Sequence, residues 1–338
     1  MRPFTYAVAP DAPAAVRLAS VPADAHVRSP VQLMGGGTTL LDLMKLDVMR
    51  PETMVDITPL GLQRHGNIEA TAQALRLGAL VRMSDAAEDP DVVRDYPVIA
   101  QSLALAASAQ LRHMARLGGN VLQRTRCNYF RDPSYAQCNK RDPGSGCAAL
   151  DGFNRLHAVL GTSEACIASY PGDFAQALIA LDATVEILGV AGARTIRFAD
   201  LHRLPGTTPH IETSLAPGEL ITAYFIPAGP WTRRSVYTKV RDRESYAFAL
   251  ASAAVALDMD GRNVRSARIA LGGVATVPWR ASEAEALLAG KPLDEAAATN
   301  AAEAAFAGAK THHDNAYKVP LGKATLVRAL LTAQAIEV

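Results

Sequence analysis

The chain has 338 residues, 49% of them hydrophobic, and its 34 basic and 33 acidic residues leave a net charge of +1. That length suffices for two or three modest cores. The balanced charge offers no field of one sign for nucleic acid or an anionic membrane, and no apolar run reaches the roughly eighteen residues of a membrane-spanning helix.

The start, Met1-Arg2-Pro3-Phe4-Thr5-Tyr6, lacks the charged and apolar regions of a signal peptide. The expected compartment is therefore the cytosol, or beyond it by export on a signal-bearing partner. Low aromatic content argues against a sugar- or base-stacking surface.

In chain order, Pro13–Leu18 reads as a helix, Val31–Met34 as a buried strand, Leu40–Leu46 as a helix and Thr53–Ile57 as a strand. Residues 1–58 thus make a small βαβ unit. Ala74–Val81 follows as a strand, Ser84 as a helix cap, and Tyr96–Ala109 with helical periodicity. Gly172-Asp173-Phe174 opens a helix to about Asp182, and Thr184–Leu188 and Glu219–Ile226 are strands. Pro227-Ala228-Gly229-Pro230 marks a boundary, so the second unit runs 59–226 and the third 230–338. In the third, strands are expected at Ser235–Val240, Ala247–Leu257 and Val264–Leu271, and helices at Ala281–Leu288, Asp294–Ala307 and Lys323–Ala335.

All four cysteines, Cys127, Cys138, Cys147 and Cys166, fall in one 40-residue window, separated by ten, eight and eighteen residues. Turn formers fill the gaps: Asp132-Pro133-Ser134 and Asp142-Pro143-Gly144-Ser145-Gly146. One [4Fe–4S] cluster takes four thiolates, one per iron. Three other readings remain open: two disulfides in any of three pairings, a structural zinc site without its usual paired C-x2-4-C knuckles, or four unrelated buried thiols.

Three further segments carry chemistry. Gly35-Gly36-Gly37-Thr38-Thr39 joins a strand to a helix, where backbone N–H groups can approach an anion and the threonines can donate or cap; a plain flexible turn is the alternative. The segment is neither a Walker A loop nor a G-x-G-x-x-G fingerprint. Arg116-Leu117-Gly118-Gly119-Asn120 suggests close backbone approach to a ligand, or a turn into a strand. Tyr237-Thr238-Lys239-Val240-Arg241-Asp242-Arg243 reads as a solvated hairpin tip, or as a lysine set near a redox ring to favour its reduced, anionic form.

The order of these segments is more specific than any one of them. Strand–GGGTT–helix is followed by R-x-x-A-x-x-GGN, Pro171-Gly172-Asp173, K-x-R-x-R, and then Arg268-Ile269-Ala270-Leu271-Gly272-Gly273 with Pro278-Trp279-Arg280. Along essentially its whole length the chain resembles the FAD-binding medium subunits of the molybdenum hydroxylases, the xanthine dehydrogenase family. With its cysteine window it also resembles the flavin/[4Fe–4S] subunits of bacterial periplasmic aldehyde oxidoreductases.

The resemblance implies an α+β fold: a two-subdomain FAD-binding fold of the vanillyl-alcohol-oxidase type, then a C-terminal domain of small antiparallel sheet plus helices. It implies FAD held by Gln32, Leu33, Met34, Gly35, Gly36, Gly37, Thr38, Thr39 and Leu40, by Arg116, Gly119, Asn120 and Gln123, and by Asp173, Ile221 and Lys239. Many relatives have Ser or Thr where this chain has Arg116. The four cysteines would hold a [4Fe–4S] cluster in an insertion at about 124–168, with Arg124, Arg126, Arg131, Lys140 and Arg141 offsetting its charge or facing a partner.

A large molybdenum-cofactor subunit would oxidise the aldehyde and a small [2Fe–2S] subunit would relay single electrons. The flavin here would pass pairs to an external acceptor, so no catalytic residue is expected in this chain. A heterotrimer exported to the periplasm on its partner, or retained in the cytoplasm, follows from the same likeness. The rival readings are a stand-alone FAD oxidase of the vanillyl-alcohol type, disfavoured because no His lies in the GGGTT loop and the last third is small for a cap, and a zinc-stabilised scaffold.

Overall fold

The computed structural model describes residues 1–22 and 28–337. Its first sheet has three parallel strands, β1 (Thr5–Val8), β2 (Val31–Met34) and β3 (Thr53–Asp56), in the order β1-β3-β2. Parallel neighbours need a crossover, which the helix Ala12–Ala19 begins. Asp11 caps that helix by accepting from the Ala14 N–H at 2.7 Å, and Pro13 sits in the first turn, where its missing donor costs nothing. The buried Ala12, Ala15 and Val16 share a core with Val55 of β3, Leu80 and Leu220.

The second sheet is antiparallel and five-stranded. It contains β4 (Ile68–Ala70), β5 (Ala74–Gly78), β6 (Thr184–Gly189), β7 (Gly192–Arg197) and β8 (Leu220–Pro227), in the order β4-β5-β8-β6-β7. Against it packs the helix Phe174–Ala180, every residue of which is buried. Phe174 and Phe198 meet the Tyr224 ring edge-on at centroid distances of 5.7 and 6.1 Å. Each such pair adds about 0.5–1.5 kcal/mol beyond its burial.

The last third forms an antiparallel sheet of β9 (Ser235–Val240), β10 (Ala251–Asp260), β11 (Asn263–Gly272) and β12 (Trp279–Arg280), in the order β12-β11-β10-β9. Helices Ser282–Leu288, Glu295–Ala305 and Lys318–Gln334 cover one face with Ala and Leu side chains. The other face contributes Tyr237, Ala254, Ala256 and Ala270 to the core of the middle unit. In return, Val159 and Leu160 cross into the C-terminal core, and both their N–H groups donate to the Val274 carbonyl, at 2.8 and 3.0 Å. The α+β class agrees with the sequence expectation. No helix among the described residues is long and apolar enough to cross a membrane.

Several local expectations change. Ser84 lies inside the helix Met83–Glu88, whose N-cap is Arg82, because the chain turns helical two residues earlier. The helical stretch at 96–109 is two helices, Pro97–Ala104 and Ala109–Met114; Ala107 breaks it at φ +49°, and the Ser108 hydroxyl caps the second by accepting from Leu111 N–H. β2 is half-buried rather than buried, since it is an edge strand facing a cavity. β10 starts at Ala251, four residues after the expected start. β1, β4, β7 and β12 carry too little periodicity to be read from the sequence.

Candidate cofactor site

Between the first two units lies a cavity of about 400 Å³. Gln32, Leu33 and Met34 at the end of β2, then Gly35, Gly36, Gly37, Thr38, Thr39 and Leu40, form one wall. Only Gly37 of the three glycines has a positive φ, +73°, which lets the chain turn into the helix Leu40–Lys45. Gly36 is required for another reason: a Cβ there would fall 1.9 Å from the Met114 carbonyl oxygen. The Thr39 hydroxyl makes no cap bond to the helix, so capping does not explain it.

The facing wall comes from the GGN segment, which is a helix (Leu117–Val121) rather than a turn into a strand. Its two glycines differ in kind. A Cβ on Gly118 would press on Ala79 at 3.2 Å, whereas one on Gly119 would meet nothing within 4 Å and Gly119 lines the cavity. Arg116 lines it too. Burial, then Arg82 beside it, hold the Arg116 guanidinium below its usual value, and its buried Nε has no hydrogen-bond partner among the described residues. Gln123 completes this wall, its amide donating to the Asn120 carbonyl at 2.8 Å.

A third wall was not legible in the sequence. The segment from His202 to Glu219 contributes His202, His210, Glu212 and Gly218 to the lining, joined by Arg124, Thr125, Lys140, Ser169 and Tyr170. His202 donates from Nε2 to the Val121 carbonyl at 3.2 Å, and burial pushes its pKa down to about 4, so the ring is neutral. These residues are scattered over almost a hundred positions without a motif, and only folding gathers them.

Four of the expected residues lie off this lining. Asp173 is buried beside Lys239, accepting from its Nζ at 2.7 Å and from the Tyr237 hydroxyl at 2.6 Å. Lys239 also donates to the Leu105 carbonyl, and Arg241 Nη1 does the same at 2.8 Å, so this end of the charged segment is a buried clamp and not a solvated tip. Ile221 is buried in β8 opposite Ile187. Asn120 turns its amide nitrogen to Met83 Sδ at 3.4 Å and keeps a buried, unpartnered Oδ1.

The four cysteines line a second, smaller cavity next to the first, and all are free thiols. Cys138 and Cys147 face each other in a β-bridge set up by local chemistry: Asn139 Oδ1 accepts from Gly146 N–H at 2.9 Å, Ser145 Oγ accepts from Cys138 N–H at 3.0 Å, and Gly146 adopts φ +100°. Cys127 Sγ meets His157 Nε2 at 3.2 Å, and Ala168 N–H donates to Cys166 Sγ at 3.4 Å. Burial pushes the Cys127 thiol up to about 12. The Cys166 thiol is pulled below its usual value, first by the hydrogen bond with Cys147, with Lys140 assisting against burial.

Among the described residues no three His, Cys, Asp or Glu side chains converge on one point as they would around a single ion. A four-iron cube takes one thiolate at each corner, so its ligands surround a volume instead of converging, and soft sulfur is the donor it needs. Four reduced sulfurs lining one cavity supply donors of that chemical kind. The dinucleotide demand fits as well: the open Gly119, the chain from Gln32 to Leu40 and the Arg116 guanidinium, which hydrogen-bonds no carboxylate among the described residues, all line the larger cavity.

Comparison with known proteins decides the family. Residues 3–229 match the FAD binding domain in molybdopterin dehydrogenase, and residues 235–333 match the CO dehydrogenase flavoprotein C-terminal domain. This chain belongs to the FAD-binding medium-subunit family of the molybdenum hydroxylases. It is 47% identical over 338 residues to the aldehyde oxidoreductase FAD-binding subunit PaoB of Escherichia coli K12, covering 99% of each chain. It is 28% identical over 306 residues to the carbon monoxide dehydrogenase medium chain of Afipia carboxidovorans, covering 89% of this chain and 88% of the other. Among solved structures, carbon monoxide dehydrogenase from Hydrogenophaga pseudoflava superposes with a TM-score of 0.75 at 25% identity, over 99% of both chains. The chain is therefore an FAD-binding flavoprotein subunit of an oxidoreductase.

Proposed function

We propose that this medium subunit is the FAD and [4Fe–4S] electron-transfer subunit of a molybdenum-dependent aldehyde oxidoreductase. Electrons would arrive from a small [2Fe–2S] subunit, the aldehyde would be oxidised to its acid on a large molybdenum-cofactor subunit, and an external acceptor would take the electrons from the flavin. The observation that carries the cluster half is that four free cysteines, gathered by folding from a 40-residue window, line one buried cavity that shares wall residues Lys140 and Ala168 with the larger one. The aldehyde half is supported by the full-length likeness to an aldehyde oxidoreductase subunit.

Gln32 through Leu40, Arg116, Gly119 and Gln123 would hold the FAD, with backbone amides and the Arg116 guanidinium facing its phosphates. Asn120, Asp173, Ile221 and Lys239 would support it from behind or meet its ring end. Cys127, Cys138, Cys147 and Cys166 would ligate the cluster. When bound, FAD supplies storage of an electron pair and the iron–sulfur group supplies single-electron transfer. The chain's own residues bind, orient and exclude water. A heterotrimer, exported to the periplasm on a signal-bearing partner, completes the reading. A stand-alone oxidase is less well supported, because the last third matches a medium-subunit domain and not a substrate cap.

Analysis of iron, acid-labile sulfide and flavin in protein made under iron- and flavin-replete, oxygen-free conditions tests the proposal. About four irons and one FAD per chain are expected. Zinc in place of iron, or a colourless folded protein, would overturn it.

A further inference from the structure

Of the five basic residues around the cysteines, three are already engaged elsewhere. Arg126 and Arg131 both bind Asp42, at 3.1 and 2.8 Å, and Arg141 donates to the Tyr129, Phe130 and Tyr135 carbonyls. The remaining two, Arg124 and Lys140, converge on one carboxylate, that of Glu212. Lys140 Nζ lies 2.7 Å from Glu212 Oε1 and donates to the Pro209 carbonyl at 3.1 Å, while Arg124 pairs through Nε with Glu212 Oε2. All three side chains are largely buried, with 8% of Arg124, 12% of Lys140 and 18% of Glu212 exposed.

Their placement gives the cluster a direction. Arg124 and Glu212 line the larger cavity, and Lys140 lines both. Arg124 Nη1 and Nη2 are buried with no hydrogen-bond partner among the described residues, and its guanidinium lies over the Phe130 ring at 5.0 Å. Two cations against one anion leave a net positive charge in a water-poor wall, where Coulomb interactions are several-fold stronger than in solvent.

We propose that Arg124, Glu212 and Lys140 form a charged partition between the two redox sites, with Glu212 holding Lys140 toward the cysteines and Arg124 toward the flavin. This rests on the FAD and [4Fe–4S] assignment given above. Each site gains negative charge on reduction, so a fixed cation beside it stabilises the reduced form and raises its potential. The partition keeps both carriers easy to reduce.

The test is redox titration of Lys140→Met and Arg124→Met in the assembly in which the protein purifies. The cluster is followed by electron paramagnetic resonance and the flavin by visible absorbance. Lys140→Met is expected to lower the cluster potential more than the flavin potential, and Arg124→Met to do the reverse. Lys140→Arg restores the wild-type cluster value, and Arg131→Gln, at a residue that lines neither cavity, shifts both sites less than either. Iron-replete, flavin-replete variants with unshifted potentials would sink the partition alone, as would shifts in Arg131→Gln equal to those in Lys140→Met. Wild-type protein that binds FAD and no iron would sink the cluster reading and the partition with it. If Lys140→Met loses its cluster, Lys140→Gln and the Arg124→Met flavin potential decide, an unshifted flavin again counting against the partition.

Discussion

Arg131 donates two hydrogen bonds to the Asp42 carboxylate, from Nη1 at 2.8 Å and Nη2 at 3.1 Å, across 89 residues of sequence. Arg126 adds a third at 3.1 Å, so the two arginines that flank Cys127 are moored to the helix that follows the triple glycine. Burial would raise the Asp42 carboxyl, but Arg131 and then Arg126 outweigh it and hold it below the usual range. Because the folded value lies below the unfolded one, the contribution is fully present above pH of about 4 and is lost as pH falls through the folded value. Asp42→Asn is expected to cost about 1 kcal/mol, the partial exposure of the pair limiting it. Urea unfolding of wild type and variant should show that gap at pH 7 and show it narrowing below pH of about 4; an equal gap at both would exclude the ion pair as its source.

The two kinds of glycine separate ligand effects from packing effects. Gly119→Val points into open space within the larger cavity. It should weaken FAD binding at least tenfold by flavin titration, with the apoprotein's unfolding midpoint unchanged or slightly raised. Gly36→Ala meets the Met114 carbonyl instead, so the apoprotein itself should lose about 1–3 kcal/mol. Full flavin affinity in Gly119→Val would remove that helix from the proposed site.

None of the cysteines lines the larger cavity. Cys138→Ser should therefore lose iron while retaining FAD, as measured by metal and flavin content of the same preparation. Retention of all iron would refute its role as a ligand. Coupled loss of both cofactors would show that the two cavities do not form independently.

Lys318 is fully buried and donates to the Gly273 carbonyl at 2.6 Å and the Leu156 carbonyl at 3.2 Å. Burial, with Arg155 adding to it, brings its pKa down to about 7. The unfolded chain then holds one more proton than the folded chain between pH of about 7 and 10, so this residue makes stability rise with pH across that window, by up to about 1.4 kcal/mol per pH unit. Lys318→Met should flatten the rise. Parallel wild-type and variant curves of urea midpoint against pH would disprove the titration.

The sequence made legible what depends on local pattern. Helix Ala12–Ala19 shows its alanine face, β9 its run of β-formers, and the triple glycine its turn between β2 and a helix. The cysteine window was visible because thiols are rare and clustered. Glu212 was not: it lies 72 residues beyond Lys140, in a segment without periodicity, and its only distinction is which cations it meets after folding. The Asp173–Lys239 pair was hidden likewise, since a lysine between apolar strands reads as solvated until β10 and the helix Pro97–Ala104 close over it. Short edge strands such as β4 and β12 are defined by their neighbours rather than by their own residues.

The stretch between the third and fourth cysteines does not stay with its own unit. Val159 and Leu160 are sewn into the C-terminal core, and Lys310 N–H donates back to the Val159 carbonyl at 2.8 Å. Any shift of that last third, such as a docking subunit would impose, must tug on the chain between Cys147 and Cys166. The sulfur pocket is mechanically tethered to a region that contributes no sulfur to it.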